Sequence, residues 1–430
     1  MKITMIAFGS TGDVQPYIVL GRELKARGHD IAICAFPEFK TKIENEGFRF
    51  FPIRGDVQTF MSKCLSGAFG VVYLKQVIES MEPHIKSILE SWEEACADAE
   101  AIISVFFGEV IMSIAEMRHI PYIQTQYYPM DSNGATPIPV MQGQKGGRIW
   151  NLMTYQLGYL LISLIEKYFL ADWRVEKGMS PRKISKTPNY EINGHQVPVL
   201  YIMSPLIMRR PRDWGENIHM TGYLLEKDTR EFTPSPELQA FLTAKPEPPI
   251  YIGFGSMVSN DMGQTLSIVL DAIDRAGIRA IISKGWGGIM MESRDNVFVV
   301  DYVPHDWLFK QVSAVVHHGG AGTTAAGILA GKPTLIIPFG GDQPFWGQRI
   351  KELGVGPKPI PRAQLNVRNL SKALSNLVNN KRYKVAAKEL GSRLALENGS
   401  KTAADLVEHE LRKWLRQEGQ DAEAIVPKHE

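Results

Sequence analysis

Cysteine is scarce: three in 430 residues. Cys34, Cys64 and Cys96 are scattered, with no CxxC pair and no Cys/His set, which argues against a disulfide framework and a structural zinc site. A reducing, cytoplasmic setting is expected. Excess charge is missing too: 48 Lys and Arg face 46 Asp and Glu, a net charge of +2, so no nucleic-acid partner is expected. Long apolar runs are lacking. The longest uncharged stretch, "IWNLMTYQLGYLLISLI" from Ile149 to Ile165, falls short of the about 20 mostly apolar residues that a spanning helix needs. It also contains Asn151, Gln156, Gly158 and Ser163. A buried or cleft-lining helix is expected there, with no transmembrane segment and room only for weak membrane association. The opening "MKITMIAFGSTGD" lacks the length of a signal peptide and reads as a first strand. The sequence also has no G-x-G-x-x-G after a strand, no GK[ST] and no Asp-x-Asp. These absences count against a dinucleotide-dependent oxidoreductase, a P-loop and a metal-held diphosphate. No metal and no resident cofactor are expected.

What is present is ordinary for a soluble globular chain, 44% apolar and 22% charged, and long enough for two domains. Strand-like and helix-like segments alternate. "KITMIAF" precedes a helix from Val14 to Arg27 that Gly28 ends, and "DIAICAF" follows. "AIISVF" and "PYIQTQ" bracket the helical "GEVIMSIAEMRH". The alternation restarts at "PPIYIGFGSM" and continues through "RAIISK", "NVFVVD", "SAVVHH" and "KPTLIIPF". Helices are expected between them at Gln264–Ala276, Thr323–Ala330 and Gln343–Leu353. Each half reads as a doubly wound α/β domain with parallel strands. The expected boundaries are 1–215 for the first domain, 216–248 for a Pro- and charge-rich linker with one short helix, and 249–400 for the second. A helix at 401–418 packs back on the first domain, and a polar tail fills 419–430. Ligands favour the carboxyl ends of strands in such sheets, so the turns there are where chemistry is sought.

The most informative turn is "VVHHGGAGTTAAG". An apolar strand enters His317 and His318, then Gly319, Gly320, Ala321 and Gly322, then Thr323 and Thr324, where a helix begins. Small residues let backbone N–H groups approach a ligand, and a helix N-terminus favours an anion. Two hydroxyls and a histidine ring add donors. Phosphate or diphosphate binding is the expectation; a tight capped turn is the simpler alternative.

With these motifs the chain resembles the nucleotide-sugar glycosyltransferases of GT-B fold, two Rossmann-like α/β domains facing across a cleft. The resemblance rests on "YVPHDWLF…VVHHGGAGTTAAGILAGKPTLIIPFGGDQPFWG" and covers nearly the whole chain. "GSTGDVQPYIVLGRELKARGH" and "TGYLLEKDTREFTPSPELQAFL…PPIYIGFGSM" look like the sterol glucosyltransferase branch, which shades into bacterial enzymes acting on macrolides, glycopeptides and polyphenols. The resemblance implies that His318 and Gly320, Gly322, Thr323 and Thr324 hold the donor diphosphate. It implies that Asp342 and Gln343 contact sugar hydroxyls, with a helix cap and first turn as the alternative. Tyr302 and Val303 fall where the family binds uracil, and Ser256 looks like a second phosphate-facing hydroxyl. Trp286 either packs on the nucleoside or serves as lid or core. Plant members carry a ribose-binding Glu where this chain has Ala326, which leaves UDP over dTDP open, with UDP-glucose the implied co-substrate. The implied acceptor is a hydrophobic sterol, triterpenoid, macrolide or polyphenol. Its expected walls are "FMSKCLSGAFGVVYL", "QTQYYPM" and the 149–165 stretch.

The family's common first turn carries a His base, paired with an Asp after a middle strand. Here Asp13 takes the place of the His, and Ser104 stands at the partner's position. A His base needs a carboxylate to orient it; an Asp base does not. Asp13 is the implied general base of an inverting transfer, and an N-cap of the following helix is its other reading. Glu109, or a histidine brought in from elsewhere in the cleft, is the fallback base. His29, His119 and His195 stand alone and read as structural. A non-catalytic or lipid-carrier nucleotide-sugar-binding protein of the same fold is the competing function.

Overall fold

The computed structural model describes residues 1–55, 78–79, 82–105, 108–141, 146–188, 190–225, 232–255, 262–284 and 292–419. The chain divides into two units. One holds Met1–Ile138, Gln144–Glu226 and Asn398–Glu430; the other holds Pro139–Gly143 and Lys227–Glu397.

The first unit is built on a seven-stranded sheet of order β3-β2-β1-β4-β5-β8-β9, every pair parallel. Its strands are β1 (Lys2–Ile6), β2 (Asp30–Ala35), β3 (Arg49–Pro52), β4 (Ala101–Ser104), β5 (Tyr122–Gln126), β8 (Val199–Tyr201) and β9 (Ile218–Met220). A short hairpin, β6 (Glu191–Ile192) with β7 (His195–Gln196), stands apart. The central strands are buried along nearly their whole length, as parallel strands covered on both faces must be. That explains why "ITMI" and "IAICA" read as continuous apolar runs rather than alternating ones. Among the described residues, the helices of this unit before the last one of the chain are α1 (Thr11–Ala26), α2 (Lys40–Glu44), α3 (Ile85–Ala95), α4 (Gly108–Arg118) and α5 (Arg148–Glu176).

The second unit has a five-stranded sheet of order β12-β11-β10-β13-β14, again all parallel. Its strands are β10 (Ile250–Gly253), β11 (Ala280–Ser283), β12 (Val297–Val300), β13 (Val315–His317) and β14 (Thr334–Ile336). Its helices are α6 (Pro236–Thr243), α7 (Met262–Ala276), α8 (His305–Gln311), α9 (Ala321–Leu329), α10 (Gln343–Glu352), α11 (Val367–Asn379) and α12 (Lys381–Leu394). Leu238, Tyr251, Ile281, Val300, Leu308 and Phe309 share one core cluster.

The last helix, α13 (Gly399–Gln417), lies in the first unit against α1. Arg27 pairs with Asp405 at 2.7 Å and Glu408 at 3.3 Å. His29 meets Glu408, and the His195 ring lies between Gln417 and Glu418. Gly399 permits the entry, because a Cβ there would sit 2.3 Å from the Tyr223 carbonyl. Two boundaries differ from the sequence reading. The first unit runs on past residue 215, because β9 pairs with β8 there. Pro139–Gly143 counts with the second unit, where its short 3-10 turn, Pro139–Met141, packs on α10.

Candidate functional site

In each sheet the chain reverses its direction of strand addition once, between β1 and β4 in the first unit and between β10 and β13 in the second. Crevices at such switch points, at the carboxyl ends of the strands, are where open α/β sheets place ligands. All the described candidate residues lie at these ends.

In the second unit, β13 ends at His317 and the chain turns through Gly319, whose φ of +103° suits glycine. The Gly319 N–H donates to His317 Nδ1 at 3.0 Å. The fully buried His317 ring is therefore the Nε2–H tautomer, and burial holds its pKa well below the usual histidine value. His318 is wedged between two glycines. A Cβ on Gly320 would fall 2.6 Å from its Nε2, and one on Gly255 3.0 Å from its Cε1. Desolvation pushes His318 down to about 4, with the Gly253 carbonyl acting the other way. The ring is neutral at pH 7, and its buried Nδ1 has no hydrogen-bond partner among the described residues.

Helix α9 starts at once, with Gly320 as N-cap and no acidic or basic side chain in its first turn. The N–H groups of that turn have no intrahelical acceptor. Thr323 is half-buried. Thr324 behaves differently: its side chain is completely buried and its hydroxyl donates to the Gly320 carbonyl at 2.9 Å. Thr324 thus secures the turn, the correction to the expectation that both hydroxyls face a phosphate. Gly322 is exposed, and a Cβ there would meet nothing within 4 Å. The protein's own packing does not require a glycine at that position.

The Asp342–Gln343 pair starts α10, directly against this turn. A Cβ on Gly319 would lie 3.1 Å from the Cβ of Gln343 and 3.2 Å from its carbonyl. Asp342 is the N-cap position and makes no side-chain cap. Its Oδ2 accepts instead from the indole N–H of buried Trp346 at 2.7 Å. Loss of water pushes the Asp342 carboxyl up to about 6, and the Trp346 bond pulls against that shift. Gln343 is 3% exposed. Its Oε1 accepts from the N–H groups of Phe339 and Gly340 at 2.7 and 3.2 Å, which ties the loop after β14 to the helix. Tyr302, just beyond β12, is 77% exposed, whereas the Val303 side chain is part of the core. Ser256 and Trp286 lie outside the described residues. Among the described residues, no group of three His, Cys, Asp or Glu is placed to hold a metal ion.

In the first unit the turn after β1 places Asp13. Helix α1 begins at Thr11, not Val14, so Asp13 is the third helical residue and Ser10 is the N-cap. This corrects the N-cap reading of Asp13. The carboxylate reaches back to the cap instead: its Oδ2 accepts from the Ser10 N–H at 2.7 Å and the Ser10 hydroxyl at 3.3 Å, a capping box with Asp in the usual Glu position. Gly9 makes room for it. Its φ is +145°, and a Cβ there would sit 2.2 Å from Asp13 Oδ2. Tyr127, one residue past β5, donates to the Asp13 carbonyl at 2.9 Å. Ser104, at the end of β4, is fully buried and bonded to the Tyr122 hydroxyl at 2.9 Å. Glu109 pairs with Arg182 at 3.1 Å, and burial raises its pKa. Of the three lone histidines, His29 and His195 bind α13, and His119 sits at the end of α4 with φ of +52°.

Sequence reasoning missed the contacts of Trp346 with Asp342 and of Tyr127 with Asp13. Trp346 was within reach, since it stands one helical turn after Asp342 on the same helix face. Tyr127 is 114 positions from Asp13 in sequence, and no local pattern connects them.

Residues 3–135 match the glycosyltransferase family 28 N-terminal domain, and residues 269–408 match the erythromycin biosynthesis protein CIII-like C-terminal domain. A sterol 3-beta-glucosyltransferase of Arabidopsis thaliana is 33% identical over 96% of this chain and 68% of its own length. One from Aspergillus clavatus is 34% identical over 96% of this chain and 30% of its own. The chain thus spans about two thirds of the plant relative and under a third of the fungal one. Among solved structures, the kitacinnamycin glycosyltransferase superposes with a TM-score of 0.69 at 17% identity, covering 95% of this chain and 99% of that one. The calicheamicin glycosyltransferase CalG4 does so at 0.69 and 16%, over 96% and 98%. The fold is GT-B.

Proposed function

The chain belongs to the glycosyltransferase family that contains the sterol 3-beta-glucosyltransferases, and on that premise we propose that it moves glucose from UDP-glucose to a hydroxyl of a hydrophobic acceptor. A sterol is the foremost candidate. The donor is held by the second unit. Neutral His318, the open N-terminus of α9 and the hydroxyl of Thr323 face the diphosphate, Asp342 takes sugar hydroxyls, and Tyr302 stacks on the base. The observation that carries this reading is the close approach of Gly319 to Gln343, which sets the open N-terminus of α9 beside the Asp342–Gln343 pair.

In the first unit, Asp13 takes the acceptor's proton as its oxygen attacks the anomeric carbon, with inversion. The carboxylate offers about four lone-pair directions, so accepting from Ser10 and taking a proton are compatible. The diphosphate leaves against the helix N-terminus, whose dipole stabilises the developing charge, and no metal or cofactor takes part. An acceptor of this kind partitions into membranes, and weak membrane association of the chain goes with it.

The test is incubation with UDP-glucose or dTDP-glucose and a panel of sterol, macrolide and flavonoid acceptors, read by a hexose mass shift. Transfer from UDP-glucose to a sterol supports the proposal. Tight UDP binding with no product on any acceptor would favour the non-catalytic alternative.

A further inference from the structure

The inward face of helix α5 carries Asn151, Thr154, Tyr155 and Gly158 in its first half and Leu170, Trp173 and Arg174 near its end. The polar groups there are used: Asn151 Nδ2 donates to the Gly134 carbonyl at 2.9 Å, and Thr154 Oγ1 accepts from the Ile138 N–H at 2.9 Å. Its outward face is apolar. Ile149, Met153, Leu157, Leu164, Tyr168 and Val175 are all exposed, Ile149 to 75%. Their spacings of four and seven keep them in one stripe at 3.6 residues per turn. At 1.5 Å per residue the stripe runs for about 39 Å. A small-molecule pocket of up to about 1,000 Å3 is roughly 10 Å across, so a single acceptor covers only part of it.

The stripe has a basic border. Lys167 lies one turn after Ser163 on that side. The Ser163 hydroxyl donates to the Ser185 carbonyl at 3.1 Å, which lays the segment "KISK", 183 to 186, along the same edge. Lys167, Lys183, Ile184 and Lys186 are all exposed, and the three lysines have no acidic partner among the described residues. The opposite border is acidic. Asp172 and Glu176 follow one another by one turn, and the Tyr168 hydroxyl donates to Glu82 at 2.7 Å. Among the described residues no helix is long and apolar enough to cross a membrane. An apolar stripe with lysines on one edge is the pattern of a helix lying in a lipid interface.

We infer that the outward face of α5, with Lys167, Lys183 and Lys186, docks on a bilayer carrying anionic headgroups. The helix rolls so that the stripe and its basic border enter the headgroups and Asp172 and Glu176 turn away. This rests on the weak membrane association proposed above and assigns it a surface.

The experiment is flotation of the full chain, without substrate, on vesicles of phosphatidylcholine alone or with about a third phosphatidylserine. Binding to the anionic vesicles, weakened by salt, is expected. A lysine near an anionic surface contributes about fivefold in partition, so Lys167→Gln, Lys183→Gln and Lys186→Gln together lower it about 100-fold. Met153→Glu with Leu157→Glu abolishes it while the melting temperature stays near that of the unaltered protein. No binding to anionic vesicles, or binding that either variant set leaves unchanged, overturns the inference. So does a dimer, seen by sedimentation, that Met153→Glu with Leu157→Glu dissolves while vesicles are ignored; a second copy would then cover the face. Transfer to a cyclodextrin-carried sterol is measured separately, so failure of the catalytic reading is distinguishable from failure of this one.

Discussion

The indole N–H of Trp346 donates to Oδ2 of Asp342 at 2.7 Å, one helical turn away on α10. It links a fully buried ring to a carboxylate whose pKa burial has pushed up to about 6.

That link sets a pH dependence. Above about 6 Asp342 is ionised, the state in which the proposed donor site has it accept from sugar hydroxyls; below it, the protonated carboxyl is a poorer acceptor. KM for UDP-glucose should therefore fall as pH rises through 6. Asp342→Asn should remove the step. Trp346→Phe deletes a bond that favours the carboxylate, so its step should move to higher pH. The same shift makes ionisation unfavourable to the fold, so this group's contribution to stability declines as pH rises from near 4 through 6. An unmoved step in Trp346→Phe would remove the indole from the donor site.

His318 is neutral at pH 7, so in the proposed donor site it serves as a hydrogen-bond donor and not as a cation. A hydrogen bond to a charged group contributes about 1.5–3 kcal/mol. His318→Ala should weaken UDP binding by about 10- to 150-fold in calorimetry at pH 7. Unchanged affinity would end its assignment to the diphosphate.

Gly322 separates packing from ligand binding. An added Cβ meets no protein atom, and a Gly→Ala change at a compatible helical position stabilises by about 0.4–1 kcal/mol. Gly322→Ala should melt slightly higher and yet bind UDP-glucose more weakly, because the methyl occupies the approach to the helix end. A variant that melts higher and binds normally would show that the phosphate lies elsewhere.

Asp13 is tested against its own capping role. Asp13→Asn keeps an oxygen for the Ser10 N–H but cannot take a proton. General-base catalysis contributes about 10²–10⁴-fold, and kcat should fall by that much with little change in melting temperature or UDP affinity. Asp13→Ala should lose the activity and also stability. Gly9→Ala drives a methyl into the carboxylate at a φ of +145°. It should lose stability, on the order of 1–3 kcal/mol for the backbone strain, together with activity. Retention of more than about a tenth of the rate in Asp13→Asn would move the base elsewhere, with Glu109 next in line.

The sequence by itself determined the elements, their alternation and the turns that follow the strands. Continuous apolar runs mark parallel strands because both faces of such a sheet are covered. Glycines after "AVVHH" mark a strand–helix turn because few other residues allow that backbone. Local patterns of this kind reach a few residues and fix the ends of helices less well, which is why α1 starts at Thr11 and Asp13 became the third residue of a capping box rather than the cap. What the tertiary structure decided is what each polar atom does. Thr323 and Thr324 are adjacent and chemically alike, yet only the fold turns one hydroxyl onto the Gly320 carbonyl. Strand order places Ser104 beside Ile6 and brings Tyr127 onto Asp13. The direction in which α5 points its apolar stripe was equally out of reach, because periodicity reveals that a helix has an apolar face but only packing decides whether that face is buried or left open.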